Sequence, residues 1–174
     1  VNAVPAVTAG NGGAICSGAT LSLSETGGAA ISWSWSSDGA ATFDDNTSQT
    51  PVASGAVDGE IFTVLISDGT CSNSATTTAS VNALPAVTAG NGGAICSGAT
   101  VRLSEMGGAA ISWSWRSDGA ATFDDNTSQT PVASGAVDGE SFTVLISDGT
   151  CSHSATTTAH VHALPAVPAR HGGS

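Results

Sequence analysis

Four cysteines are the residues whose type and spacing point most directly to a chemistry. The separation between Cys16 and Cys71 equals that between Cys96 and Cys151. One pair at identical spacing in each half of the chain predicts two disulfides, Cys16–Cys71 and Cys96–Cys151. Such bridges persist in oxidising surroundings, so the chain is predicted to be secreted, extracellular or attached to a cell surface. The alternative is two reduced core cysteines in each half. Zinc is disfavoured, because no CxxC pattern or nearby His pair recurs in both halves.

Neighbouring carboxylates are the second candidate. Asp44 and Asp45 recur as Asp124 and Asp125, and loop carboxylates offer the hard oxygen ligands that Ca²⁺ prefers. The alternative is a solvated polar loop, because the regular DxDxDG pattern is absent and Asp is an ordinary turn former. Calcium is therefore the one cofactor that the sequence leaves open.

Two tryptophans in each half form the third candidate. Trp33 and Trp35 recur as Trp113 and Trp115, and alternation places each pair on one face of a strand. Exposed aromatic rings would stack on sugars, with Trp35 and Trp115 as the platform. Buried rings would instead pack in a sandwich core, which is the interpretation favoured for both tryptophans of each half, and Trp33 and Trp113 are the two assigned to the core.

Histidine chemistry finds little support. The four histidines all lie late in the chain, and residues 1–80 contain none. A Ser-His-Asp triad or a His-based metal site would therefore be missing from the first half. No catalytic or metal-binding residue is predicted, and the chain is not expected to be an enzyme.

These candidates must be positioned by a repeated unit. Residues 1–80 and 81–160 align without a gap and differ at only eight positions. Residues 161–174 resemble 81–94, which indicates the start of a third copy. We predict repeat 1 over residues 1–83, repeat 2 over 84–163 and the beginning of a third repeat over 164–174.

The hydrophobic pattern within each repeat has a period of two. Leu21 and Leu23 alternate with polar residues, and turn signals such as Asp38-Gly39 separate the alternating stretches. This pattern predicts all-β modules, each an antiparallel β-sandwich of about seven strands with one disulfide, stacked head to tail. The predicted core consists of Leu21, Leu23, Ile31, Trp33, Phe62, Val64 and Ile66, with Leu103, Ile111, Trp113, Phe142, Val144 and Ile146.

Differences between the repeats support this register. Ser22, Ser36 and Ser80 are replaced by Arg102, Arg116 and His160, and the alternation points all of these positions outward. A shift of one residue would bury both arginines.

Overall charge excludes two classes of partner. Fourteen acidic residues against three basic ones give a net charge of −11, which repels nucleic acid and anionic lipid. No apolar run approaches the roughly 20 residues that span a bilayer. Neither nucleic acid binding nor membrane insertion is expected.

Several stretches resemble the PKD-like/Ig-like tandem repeats of giant cell-surface adhesins of Bacteroidetes, including the gliding adhesins. The resemblance lies in residues 5–10, 14–23, 32–34, 39–45, 50–51 and 62–71, and in their second copies. This chain differs by a shorter repeat, with a compressed stretch between Pro51 and Phe62. The resemblance implies secretion, surface display, an Ig-like fold and a role in extended adhesive stalks or filaments.

The predicted function is therefore structural: a repeat of an extracellular adhesin stalk or filament that supplies length, stiffness and self-association. Its expected partners are like modules, joined by strand exchange or strand addition, with surface glycans as a further possibility. The alternative is a polysaccharide-binding β-sandwich that uses exposed Trp35 and Trp115.

Overall fold

The computed structural model describes residues 2–167, which form strands, turns and loops without a helix. These residues divide into two compact units, with the boundary between Leu84 and Pro85. We call the part before this boundary unit 1 and the part after it unit 2. The boundary lies one residue beyond the predicted one. Most of the predicted third repeat, residues 168–174, lies outside the described residues.

Each unit contains nine strands, of which several are only two or three residues long. In unit 1 they are β1 (Thr8–Asn11), β2 (Ile15–Cys16), β3 (Leu21–Thr26), β4 (Ser32–Ser37), β5 (Thr42–Phe43), β6 (Val52–Ser54), β7 (Ile61–Ser67), β8 (Ser72–Thr78) and β9 (Val81–Asn82). In unit 2 they are β10 (Ala89–Asn91), β11 (Ile95–Cys96), β12 (Val101–Glu105), β13 (Ser112–Ser117), β14 (Thr122–Phe123), β15 (Val132–Ser134), β16 (Ser141–Ser147), β17 (Ser152–Thr158) and β18 (Val161–His162).

The strand order of each unit is that of an Ig-like sandwich. In unit 1, one sheet has the order β1-β3-β6-β5, the other has the order β4-β7-β8, and β2 pairs in parallel with β9. The first two correspond to the ABED and CFG sheets of the immunoglobulin fold. Unit 2 repeats this order. The predicted all-β, Ig-like class is therefore confirmed, and the short strands β2 and β9 raise the count above seven.

Alternation along the strands builds one apolar core in each unit. The side chains of Leu21 and Leu23 on β3 point inward, as do Phe62, Val64 and Ile66 on β7. The second unit repeats this arrangement with Val101, Leu103, Phe142, Val144 and Ile146. A T-shaped contact joins the rings of Phe43 and Phe62, whose centroids are 5.9 Å apart. Most of the predicted core residues thus lie where the period of two places them.

The substitutions between the repeats obey the same register. Arg102, Arg116 and His160 are exposed, whereas Val101 occupies the buried position of Leu21. Ile61 is 40% exposed at the outer side of β7, which explains why Ser141 can replace it. Arg102, Arg116 and His160 therefore lie where their polar groups stay solvated, whereas the buried replacement of Leu21 by Val101 stays apolar.

Two predicted core residues are wrong. Ile31 and Ile111 are each 70% exposed, because each comes immediately before its strand, β4 or β13. The backbone N–H of Ile31 continues the pairing by donating to the carbonyl of Ser67. Its side chain, however, lies against the turn at Gly69 rather than between the sheets. Trp33 and Trp113 are half-buried and pack against the edge of the core.

Candidate functional site

The two cysteines of each unit lie at opposite ends of the sandwich. Cys16 is on β2, where it pairs with Asn82 of β9, close to the point at which the chain leaves the unit. Cys71 lies in the turn between β7 and β8, where its backbone N–H donates to Asp68 Oδ1 over 2.8 Å. The whole length of β8 separates this turn from β9. We call these two regions the exit end and the entry end.

The predicted bridges within each repeat, Cys16–Cys71 and Cys96–Cys151, are therefore wrong. The seven residues of β8 span roughly 20 Å at about 3.3 Å per residue. A disulfide needs Cα atoms only about 4.4–6.8 Å apart. No rotation of side chains closes that gap, so the sandwich keeps its own two cysteines apart.

The oxidation state of the cysteines differs between the units. Cys16 and Cys151 are disulfide-bonded, whereas Cys71 and Cys96 are thiols. Cys151 is 2% exposed, while its counterpart Cys71 is only half-buried. Cys96 is exposed, while its counterpart Cys16 is half-buried. Each unit thus has one oxidised and one reduced end.

The entry end also receives the first segment of the unit. The side-chain amide of Asn73 donates to the carbonyl oxygen of Pro5 over 2.9 Å. In unit 2, Nδ1 of His153 lies 3.0 Å from the carbonyl oxygen of Pro85. His153 therefore fills the role of Asn73, which the sequence did not reveal. The chain enters each unit beside the start of β8 or β17 and leaves it past the end of that strand.

The alternative of a glycan platform is wrong, because Trp35 and Trp115 are each only 2% exposed. The indole Nε1 of Trp35 donates to the carbonyl of Ser48 over 3.0 Å, and that of Trp115 donates to Ser128 in the same way. A ring enclosed between two sheets cannot stack on a sugar. These two tryptophans are instead the largest fully buried side chains of the cores.

The candidate calcium loop is organised by its own hydrogen bonds. Asp44 Oδ1 accepts the backbone N–H of Val52 over 2.7 Å. Asp45 Oδ1 accepts both the hydroxyl and the N–H of Thr47, and these bonds lower the pKa of Asp45. Asp124 and Asp125 make the same contacts in unit 2. Within residues 2–167, no three His, Cys, Asp or Glu side chains come together as a metal site.

A buried acidic side chain that was not predicted from the sequence lies on the inner face of β3. Glu25 is 1% exposed, and its Oε2 accepts the indole N–H of Trp33 over 2.9 Å. The alternation that marks Leu21 and Leu23 as inward also marks Glu25. Glu105 and Trp113 repeat the bond in unit 2. The half-buried tryptophan is therefore held by a hydrogen bond to a buried carboxyl group as well as by its contacts with the apolar core.

A second buried carboxylate, Glu60, ties three segments together. It is 4% exposed and accepts the backbone N–H groups of Ala41 and Val57 and the hydroxyl of Ser37. Gly39 leaves room for it, because a Cβ there would lie 2.5 Å from Glu60 Oε1. Burial raises the pKa of Glu60, but these hydrogen bonds outweigh burial and lower the pKa below its ordinary value of 4.5. Glu140 has the same surroundings in unit 2.

Lowering the pH should destabilise unit 1 through Glu60 and unit 2 through Glu140. Because the folded-state pKa of Glu60 lies below 4.5, its stabilising effect is complete above that value and is lost as the pH falls through the folded-state pKa. In the variant Glu60→Gln, unit 1 should be less stable at pH 7, and its free energy of unfolding should depend less on pH below about 5. Urea unfolding at several pH values measures both effects. Unit 2, which retains Glu140, is the internal control, and an unchanged pH dependence of unit 1 would contradict the assignment.

Comparisons with solved structures return tandems of Ig domains. The N-terminal eight Ig domains of Down Syndrome Cell Adhesion Molecule isoform 1.30.30 align with 92% of this chain at 16% identity, with a TM-score of 0.49, and the alignment covers 24% of that structure. The four N-terminal Ig domains of Dscam1 isoform 1.9 align with 86% of this chain at 13% identity, with a TM-score of 0.35, and the alignment covers 43% of that structure. The titin Ig tandem A164–A165 aligns with 92% of this chain at 11% identity, with a TM-score of 0.32, and the alignment covers 97% of that structure. The chain thus spans less than half of the four-domain Dscam1 structure.

No family model and no curated protein matches the chain. The part of the chain that the structure describes contains no ligand-sized cavity. Between residues 2 and 167, no helix is able to cross a membrane. What the described surface does offer is a repeated arrangement of chain ends and cysteines.

Proposed function

We propose that the chain is a structural repeat of an extracellular adhesin stalk or filament. The observation that carries this proposal is that the chain enters and leaves each sandwich at opposite ends. Pro5 is bonded to Asn73 at the start of β8, and Val81 pairs with Ile15 beyond its end. Every copy therefore adds the length of a sandwich to the path of the chain, as a spacer requires.

The hydrogen bonds that hold the first and last strands of a unit support a mechanical role. β1 of unit 1 pairs with β3 of one sheet, and the Asn11 side-chain amide also donates to Thr77 Oγ1 over 2.7 Å on β8 of the other sheet. The parallel pair β2–β9 holds the exit end. Pulling on both ends of a unit loads these bonds in shear, so that several must break together.

An extracellular location agrees with the cysteine chemistry. Cys16 and Cys151 are oxidised, and structural disulfides persist outside the reducing cytosol. The charge of −11 with no Lys keeps such a chain soluble at a surface.

Self-association with like modules belongs to the same proposal. The edge strands β4 and β8 are already partly hydrogen-bonded. The backbone N–H of Trp35 on β4 donates to the carbonyl of Asn46, and the side-chain amide of Asn11 donates to the carbonyl of Thr78 on β8. These bonds use groups of β4 and β8 that an added strand would need. Association at the ends of the units is therefore favoured over strand addition at these two edges.

Single-molecule stretching of the full chain under reducing conditions tests the mechanical role. We expect two separate unfolding events, each releasing on the order of 250 Å for about 80 residues of extended chain. Events below the detection limit of force, or one shared event, would contradict a load-bearing repeat. Trp35→Ala is the matched variant: it should weaken one of the two events and leave the other unchanged.

A further inference from the structure

Each unit carries a cysteine at both ends, and in each unit only one of the two is oxidised. The exit-end cysteine is bonded in unit 1 as Cys16 and is a thiol in unit 2 as Cys96. The entry-end cysteine is a thiol in unit 1 as Cys71 and is bonded in unit 2 as Cys151. The same sequence position is thus found in both states.

Local structure does not explain this difference. Cys96 pairs with His162 on β11 and β18 just as Cys16 pairs with Asn82. Asp148 Oδ1 accepts the N–H of Cys151 over 2.8 Å, as Asp68 does for Cys71. Since the second cysteine of the same unit lies roughly 20 Å away along β8, a bridge at either position needs a cysteine from outside that unit.

We propose that Cys96 and Cys71 are covalent connectors to further copies of this chain. The exit-end thiol Cys96 of one chain forms a disulfide with the entry-end thiol Cys71 of a second copy. This deepens the proposed function and rests on it, since it states how the stalk or filament modules associate. Both thiols reach solvent: Cys96 is exposed and Cys71 is half-buried.

The chemistry is two successive thiol–disulfide exchanges with a small-molecule disulfide such as oxidised glutathione. The Cys96 thiolate attacks the oxidant, forms a mixed disulfide and releases one glutathione thiolate. The Cys71 thiolate of the second copy attacks the Cys96 sulfur and releases the second. Two protein thiols are oxidised to one disulfide, one glutathione disulfide is reduced to two thiols, and the two protons pass to the leaving thiolates.

The turn at the entry end holds its cysteine in a fixed position. Asp68 Oδ1 accepts the N–H groups of both Thr70 and Cys71, each over 2.8 Å. These bonds fix the backbone of the turn. A fixed Cα at one end and a paired strand at the other are suited to the narrow geometry of a disulfide.

Mixing two variants of the full chain, each with one of the two thiols replaced, tests the proposal. Cys71→Ser retains only the exit-end thiol, and Cys96→Ser retains only the entry-end thiol. In a glutathione redox buffer, the mixture should form cross-linked dimers about tenfold faster than either variant alone, because docking of complementary ends raises the local thiol concentration. Non-reducing gel electrophoresis with one variant tagged identifies the heterodimer. The unsubstituted chain should form a ladder of multimers, and the double variant should stay monomeric.

Three outcomes would overturn the proposal. These are a mixture that cross-links no faster than the separate variants, a native chain without thiols reactive towards a colorimetric reagent, and a peptide that links Cys16 to Cys71 of the same chain.

Added salt should accelerate the cross-linking, because each chain carries a charge of −11 and screening weakens the repulsion between copies. Slower cross-linking in salt would count against docking of the acidic modules. Stretching under reducing conditions remains independent of these bonds, so two unfolding events without cross-linking would leave the spacer role intact and remove only the connector.

Discussion

Trp35→Ala should lower the stability of unit 1 by about 4 kcal/mol, since truncation of a buried aromatic side chain costs about 3–5 kcal/mol. The indole is 2% exposed and is among the largest side chains in the core. Its removal leaves a cavity and deprives the Ser48 carbonyl of the bond from Nε1. For a unit of this size, the midpoint of thermal unfolding should fall by about 15–30 °C.

Differential scanning calorimetry under reducing conditions is the measurement. The variant should show one transition shifted to lower temperature and one that stays in place, since unit 2 retains Trp115. Leu65→Ala is the matched control, because this side chain lies on the same sheet but is 50% exposed. A Trp35→Ala chain that unfolds like Leu65→Ala would mean that Trp35 is not in the core.

Gly27→Ala should destabilise unit 1 by about 2–4 kcal/mol, at the upper end of the cost of overpacking. A Cβ at this position would lie 2.0 Å from the carbonyl oxygen of Ala6 and 2.8 Å from Glu25 Oε1. The first contact is with backbone, so the segment before β1 must move. That movement draws Val7 away from the core against which it packs.

A second glycine provides the control for this substitution. At Gly12 a new Cβ would meet the Cβ of Ser22 at 3.7 Å, which is ordinary van der Waals contact. Gly12→Ala should therefore leave the thermal midpoint unchanged or slightly raise it. Equal effects of the two substitutions would show that the first segment is not packed against Gly27. Gly107→Ala should reproduce the Gly27→Ala effect in unit 2, where the carbonyl of Ala86 lies 1.9 Å from the Cβ position.

The period of two predicted the sandwich well because it follows from the geometry of paired strands. It placed Leu21 and Phe62 inside and Arg102 outside, as the structure has them. It failed at Ile31, because alternation does not show where a strand leaves the sandwich. It also could not decide between Trp33 and Trp35, since both are on one face and only the depth of the core separates them.

The spacing of the cysteines could not determine how they pair. In a sequence that repeats with a fixed period, the separation between two cysteines is the same in every copy, whatever bonds they form. Equal spacing is therefore compatible with bonds inside a repeat and with bonds between copies. What excludes the Cys16–Cys71 bridge is the direction of β8, which carries the chain from one end of the unit to the other.

The buried carboxylates differ in how far the sequence could reveal them. Glu25 follows Leu21 and Leu23 at the next inward position, so a closer reading of the alternation would have found it. Glu60 lies in a turn and receives its hydrogen bonds from Ser37 and Ala41. Such contacts arise only when distant segments meet, and no local pattern records them.

The apolar interior of each sandwich closes without a covalent cross-link inside the unit. Folding is therefore separate from disulfide formation, although the two are usually coupled in small secreted modules. A newly made repeat can reach its folded shape while every sulfur is still reduced. In the proposed connection through Cys71 and Cys96, oxidation acts on domains that are already folded, and a change of redox conditions connects or releases neighbouring copies without unfolding them.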